Sequence, residues 1–338
     1  MKVLMIGGTG NIGTAVADTL LQRGWEVTLC GRGQGRPDCG FIQTDRTRHA
    51  DFESEMKEHG SWDCVIDMVG YTPTDAQSAV RAFAGRTAQF VFCSTVDVFA
   101  KPAPSYPVGP TAPRGADPRF AYAYDKVRME EILEEAAAGG AFALTILRPA
   151  ATYNDRSTPI GILNSGLSVM RRLRLGLPVI VMGDGLTLWS SAHRDDVGAA
   201  IARAAGNPRA YGKAYTLAAD EALTWIQYYQ AVADALGAPP VTFVGVPTEL
   251  LVAAAPKACA WCGVNFKYDN VFDSSPAKED LKFAYTIPWA EGARRMAAFH
   301  ERLGEIDAAA DHPAYDKLIQ RMQALKTELS QTMSMLEA

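Results

Sequence analysis

The chain has 338 residues, of which 48% are hydrophobic and 21% charged, and its formal net charge is −5. This length and apolar content suit one nucleotide-binding core with a smaller lobe. The acidic balance weighs against nucleic acid as the main partner. No apolar run approaches the ~18 residues of a membrane span, and Met1 leads straight into a strand, so a cytoplasmic protein is expected, without membrane attachment.

Met1 to Ile6 is a short apolar run that reads as a buried strand. It enters Gly7-Gly8-Thr9-Gly10-Asn11-Ile12-Gly13, and a helical pattern follows from Thr14 to Arg23, stopping at Gly24. Strand, glycine loop and helix in that order make a dinucleotide cradle. The glycines allow a tight turn and close approach of a pyrophosphate, and the first amides of the helix face the phosphates. Gly7, Thr9, Gly10, Asn11, Ile12 and Gly13 are therefore the cofactor-binding candidates here.

The second strand, Glu26 to Cys30, bears on which dinucleotide binds. A carboxylate at its end would favour NAD; this chain has Gly31-Arg32-Gly33, with Arg36 close behind. An arginine fork suits a phosphate monoester, so NADP(H) is favoured, with NAD(H) possible if Arg32 only stacks on the adenine. Phe41 to Asp45 reads as a strand whose terminal Asp45 reaches for the adenine amino group. Cys64 to Val69 and Gln89 to Cys93 follow as core strands, the latter delivering Ser94 and Thr95 to its carboxyl end.

Pro102 to Pro118 holds six prolines and reads as an irregular loop. A helix over 121–138 then carries Tyr122 and Lys126 four residues apart, on one face. A phenol has an unperturbed pKa near ~10, and a neighbouring ammonium draws it toward the range of an acid/base catalyst. Phe142 to Leu147 completes the alternation. The fold class expected is α/β, a Rossmann-like doubly wound parallel sheet with a smaller C-terminal substrate lobe. Residues 1–150, with 191–240 returning to them, form the nucleotide-binding domain; 151–190 and 241–305 form the lobe, and 306–338 a helical tail.

Gly7-x-x-Gly10-x-x-Gly13, Ser94-Thr95-Val96-Asp97-Val98-Phe99, Tyr122-x-x-x-Lys126 and Leu147-Arg148-Pro149 occur in a fixed order. In that order they resemble the extended short-chain dehydrogenases/reductases, the NAD-dependent epimerase/dehydratase family. Gly183-Asp184-Gly185 and His193-Arg194-Asp195-Asp196-Val197 continue the likeness, to about residue 295. The resemblance implies that Thr95 binds the reacting oxygen and Tyr122 exchanges its proton. It also implies that Lys126 holds the nicotinamide ribose and lowers the phenol's pKa. It suggests a homodimer.

The departures from that pattern bear on substrate. Where nucleotide-sugar members place a diphosphate-gripping Arg, this chain has Trp189, which offers an apolar wall instead. Arg171, Arg172 and Arg174 either replace that charge or form a solvated basic helix end. Gly31-Arg32-Gly33 and Asp67-Met68-Val69-Gly70 look like the atypical branch that includes chloroplast stem-loop RNA-binding proteins. In the lobe, a helix is expected over Pro159 to Arg174 and strands over Pro178 to Met182 and Val241 to Val244. Asn154, Asn164, Trp189, Phe266, Lys267 and Tyr268 are the candidate substrate contacts.

Cys259 and Cys262 have the spacing of a redox pair or metal half-site, but without a second pair or a nearby His set they read as helix packing, and no metal is expected. His193 reads as structural. Tyr315, Leu318, Met322, Leu325, Leu329, Met333 and Leu336 form a stripe for packing on the core or on a second subunit. The functional expectation is an NAD(P)-dependent epimerase/dehydratase-type enzyme acting on a sugar or nucleotide-sugar hydroxyl or ketone. Two alternatives stand beside it: an NADP(H)-dependent reductase of a non-nucleotide carbonyl, and a non-catalytic nucleotide- or RNA-binding protein on the same fold. Thr95, Tyr122 and Lys126 together favour an enzyme, with a sugar-like small molecule as partner.

Overall fold

The structure is a computed structural model that describes residues 1–336, and the chain divides into two compact units. Unit 1 comprises residues 1–153, 190–220 and 271–287. Its elements begin β1 (Lys2–Ile6), α1 (Asn11–Gln22), β2 (Glu26–Gly31), β3 (Gly40–Gln43) and α2 (His49–Glu58). They continue through β4 (Trp62–Asp67), α3 (Pro73–Phe83), β5 (Thr87–Cys93), α4 (Ala121–Ala138) and β6 (Ala143–Pro149). The sheet runs β3-β2-β1-β4-β5-β6 and ends on the strand Lys213–Leu217, every pair being parallel.

Parallel strands buried on both faces read as continuous apolar runs, and Val3 to Ile6 are all at most 1% exposed. On one face, Val16, Ala17 and Leu20 of α1 pack with Val197 and Ile201 from the helix Arg194–Ala204. On the other, Phe52 of α2, Phe83 of α3 and Met129 of α4 cover Phe90 and Phe92. Cradle, β2 turn and Ser94-Thr95 thus sit at carboxyl ends of one sheet, where folds of this class bind ligands.

Unit 2 comprises 154–189, 221–270 and 288–336 of the described residues. An aromatic core holds it together. Trp189 stacks on Trp225 at 5.0 Å, Tyr228 on Trp289 at 4.2 Å, and Phe266 lies 5.1 Å from Trp225. This explains why the helix Trp225–Ala235 groups with unit 2 although the sequence puts it with the nucleotide-binding core: Trp225, Tyr228 and Tyr229 all point into that cluster. Conversely, 271–287, expected in the lobe, belongs to unit 1, where Thr286 and Ile287 donate to Asp196.

Several element ends differ from the sequence expectation. The helix expected from Pro159 begins only at Gly166, where Ser165 Oγ accepts from Ser168 N, and Leu163 just before it has φ +61°. The strand expected at 241–244 lies at Phe243–Val246. β3 stops at Gln43, so Asp45 stands in the turn beyond it. No helix among the described residues is long and apolar enough to cross a membrane.

Candidate active site

β1 delivers the chain to Gly7, whose φ of +85° is the left-handed turn that glycine enters freely. Gly13 lies inside the first turn of α1, and a Cβ there would stand 2.6 Å from Gly7 O and 2.8 Å from the Gly8 backbone. Only glycine lets helix and strand approach so closely. Thr9, Gly10 and Asn11 are exposed, Ile12 is half-buried against the core, and Gly10 is the N-cap without any side-chain cap. The first backbone N–H groups of α1 have no intrahelical acceptor, which is the geometry of an anion site.

Arg32 is exposed just past β2, its backbone carbonyl accepting from Gln43 and, after hydrogen bonds from Thr47, its charge helping to lower the Asp45 carboxyl. Arg36 is held by its own acids: 2.7 Å to Asp18 and 2.8 Å to Asp38. Asp45 accepts from Thr47 N at 3.0 Å and from Thr47 Oγ1 at 2.7 Å, which keeps its carboxyl below the usual range. It caps a turn.

Thr95 and Tyr122 meet through their hydroxyls. Thr95 Oγ1 also stands 3.1 Å from Asp97 Oδ2, a second acceptor that competes with the phenol for its single proton, and it accepts from Asp97 N at 3.2 Å, while the other carboxylate oxygen of Asp97 pairs with Lys101 at 3.2 Å. Tyr122 keeps 36% of its surface open. The dense protein around it nevertheless pushes the phenol well above its ordinary range, Cys93 and Asp97 adding to the shift and the Thr95 hydrogen bond opposing it. Lys126 is 1% exposed and donates to Cys93 O at 2.6 Å, with its Nζ 5.9 Å from the Tyr122 ring. Burial lowers the ammonium's own pKa. In the chain by itself desolvation is the largest influence on the phenol and sets the direction of its shift.

Two buried networks next to this group escaped the sequence reading. Asp67, at the end of β4, pairs with Arg46, accepts from Val69 N at 3.1 Å and lies close enough to Lys126 to favour its charge. Arg46 also donates to Asp75 O at 2.8 Å, and His49 bonds Asp75 at 2.9 Å. Glu130, one further turn along α4 from Lys126 and 0% exposed, is held by Arg148 at 2.9 and 2.7 Å and by Arg114 at 2.9 Å. Arg114 and Pro110, whose carbonyl accepts from Arg148, tie the proline-rich loop to that network. The signal was present: an aspartate interrupting the apolar run Cys64 to Val69, and an acid on the Tyr122–Lys126 face.

The candidate substrate contacts in unit 2 do not gather into one cluster. Trp189 and Phe266 are 6% and 8% exposed and belong to the aromatic core, although the indole N–H of Trp189 has no partner among the described residues. Asn154 Oδ1 accepts from Arg156 N at 2.6 Å within a turn. Asn164 is engaged by the tail, accepting from His312 N at 2.8 Å and donating to Asp311 at 3.4 Å. Lys267 lies over Tyr268 at 5.2 Å, both half-buried. Arg172 is fully buried rather than solvated, paired with Asp311 and, at 2.7 Å, with Asp316; Arg174 pairs with Glu301 at 2.5 Å and Asp307 at 3.1 Å. Elsewhere, His193 Nδ1 accepts from Asp195 N and caps the helix Arg194–Ala204. Cys259 and Cys262 are buried free thiols, the latter pushed up to about 12 by burial.

With this geometry in place, the comparisons decide the family. The model of the NAD dependent epimerase/dehydratase family matches residues 3–84 and 76–218. The chain belongs to that family. It is an enzyme of the NAD(P)-dependent epimerase/dehydratase and oxidoreductase class, on the seven-stranded Rossmann-like sheet described above. Among family relatives, 2'-dehydrokanamycin reductase of Streptomyces kanamyceticus is 31% identical over 81% of this chain and 77% of its own length. The chloroplast stem-loop binding protein of 41 kDa b of Arabidopsis thaliana is 24% identical over 70% of this chain and 64% of its own. The fold matches UDP-glucose 4-epimerase of Thermotoga maritima with a TM-score of 0.70 at 18% identity, over 90% of this chain and 99% of that one.

The family's dinucleotide fits the residues present. Gly7 and Gly13 let the loop and α1 close to a spacing that a Cβ would break, leaving the helix's first amides at its open end, and Ser94 Oγ, buried beside Thr95, has no partner among the described residues.

Proposed function

We propose that this family member is an NAD(P)-dependent oxidoreductase acting on a hydroxyl or ketone of a sugar-like ring that carries no diphosphate. The Thr95–Tyr122 hydrogen bond beside the buried Lys126 carries the catalytic half of this reading. The amides of Asn11 to Gly13 would hold the pyrophosphate, Lys126 the nicotinamide ribose and Arg32 an adenosine 2′-phosphate. When bound, the nicotinamide supplies or receives the hydride. Thr95 would orient the substrate oxygen by turning toward it the single hydroxyl proton that Asp97 Oδ2 otherwise accepts. A phenol, with its ordinary pKa of ~10, is protonated through neutral pH, and Tyr122 would give that proton to the substrate oxygen, the direction a ketone reduction needs.

The substrate half rests on unit 2. Arg172 and Arg174 are engaged by Asp311, Asp316, Glu301 and Asp307, and the chain position at which the resemblance expects a diphosphate-gripping arginine is Trp189, buried in the aromatic core. A free keto sugar suits that inventory better than a nucleotide sugar, and the reductase from S. kanamyceticus, by its name, acts on a dehydrokanamycin. A second reading, epimerisation or dehydration of a nucleotide sugar, is supported by the structural neighbours, UDP-glucose 4-epimerase among them. The test incubates purified protein with NADPH or NADH and matched free and nucleotide-linked keto sugars, and with NADP+ or NAD+ and the corresponding alcohols, following nicotinamide absorbance and, by chromatography, the sugar products. Oxidation of NADPH by free keto sugars is expected. Turnover confined to nucleotide sugars would overturn the substrate half, and silence with every ketone and alcohol the whole reading.

A further inference from the structure

The C-terminal helix Tyr315–Ser334 starts on the body of unit 2 and then leaves it. Tyr315 and Ile319 are 2% and 4% exposed, and the Tyr315 hydroxyl accepts from Ile180 N at 2.8 Å. Leu318 and Met322 are half-covered, whereas Leu325, Leu329 and Met333 are 45%, 53% and 65% exposed. Leu318, Met322, Leu325 and Leu329 follow one another at spacings of four, three and four residues. That alternation is the seam of a two-helix coiled coil, and single exposed apolar residues would not keep it.

The charges beside the seam choose the partner and its direction. Arg321 and Glu328 both immediately precede a seam position, Met322 and Leu329, and so lie on the same flank. Among the described residues neither meets an opposite charge. In an antiparallel pair of identical helices, with Met322 of each facing Leu325 of the other, that flank faces itself. Arg321 of one copy then meets Glu328 of its partner, twice by symmetry, and Leu318 meets Leu329. In a parallel pair the same Arg321 would instead face Lys326 of the other copy, two like charges. We propose that this helix is a self-association element, pairing antiparallel with the same helix of a second copy of the chain. The seam covers about three turns, so the pairing is expected to depend on concentration rather than to be permanent.

Sedimentation velocity of the full chain across a hundredfold concentration range tests this. The wild type should shift toward higher mass as concentration rises. Leu325→Asp with Leu329→Asp should abolish the shift while circular dichroism and thermal melting of the body stay as in wild type, since both side chains are exposed. Arg321→Glu and Glu328→Arg should each weaken association at least tenfold, and the two together should restore it. An unchanged mass distribution in the double-aspartate variant, or a wild type that stays monomeric throughout, overturns the proposal. Tighter association of Arg321→Glu overturns the antiparallel arrangement, because only a parallel pair gains from it through Lys326.

Discussion

In the proposed reaction the hydroxyl of Tyr122 would have to do two things: stay protonated until an oxygen needs the proton, and stand next to Thr95 when it does. The ordinary pKa of a phenol, ~10, secures the first, and the Thr95–Asp97 link, which holds Thr95 in place, serves the second. Tyr122→Phe removes the proton while keeping the ring, so kcat should fall by about 10²–10⁴-fold with little change in cofactor affinity, read by steady-state kinetics alongside a dinucleotide titration. Retained activity would remove the assigned role. Arg32 is the residue on which cofactor choice is expected to turn. Arg32→Ala should raise the KM for NADPH roughly ten- to a hundredfold, the worth of a charge-assisted hydrogen bond, and leave the KM for NADH nearly unchanged. Equal effects on both would mean that Arg32 stacks or is solvated.

Elements show where apparent function is structure. The basic end of the helix Gly166–Arg174 has the sequence of an anion site, yet Arg172 is sealed beneath Asp311 and Asp316 of the tail. Breaking a buried ion pair by removing one partner costs about 3–5 kcal/mol. Asp316 still holds the second guanidinium nitrogen, so Asp311→Ala is expected near the lower end, about 3 kcal/mol, measured by guanidinium unfolding. No loss of stability would mean that the tail does not seal this arginine. The helix Trp225–Ala235 carries the same lesson. Its pattern specifies an apolar face, and only the partners Trp189, Phe266 and Trp289 specify which unit it joins.

Across the molecule, acid is the expected weak side. Burial would raise the Asp75 carboxyl, but hydrogen bonds from His49, Tyr71 N and Thr72 N and the charge of Arg46 hold it below the ordinary range. A carboxyl depressed in the folded state stabilises the fold above its unfolded pKa, near ~4, and that contribution disappears as pH falls through the native value. Thermal melting from neutral pH downward should show a steep loss below about pH 4, and Asp75→Asn, less stable at neutral pH, should converge on wild type there. Parallel curves for the two proteins would place the acid sensitivity elsewhere.

The order of strand, glycine loop, helix and hydroxyl-bearing strand end was legible because each is local. Gly7, Gly10 and Gly13 answer to backbone sterics, Val3 to Ile6 to burial on two faces, and Tyr122 and Lys126 to one helical turn. These fix the sheet class and the place of the candidate site at the strands' carboxyl ends. The end of β3 before Asp45 and the late start of the helix at Gly166 depend on turn contacts that pattern does not carry. The environment of each charge was decided only in three dimensions. Whether Arg36 or Arg172 is available to a ligand, and whether burial or Lys126 governs the Tyr122 phenol, depends on acids and protein mass brought from distant parts of the chain. Desolvation and pairing are sums over space, and spacing along the chain does not record them.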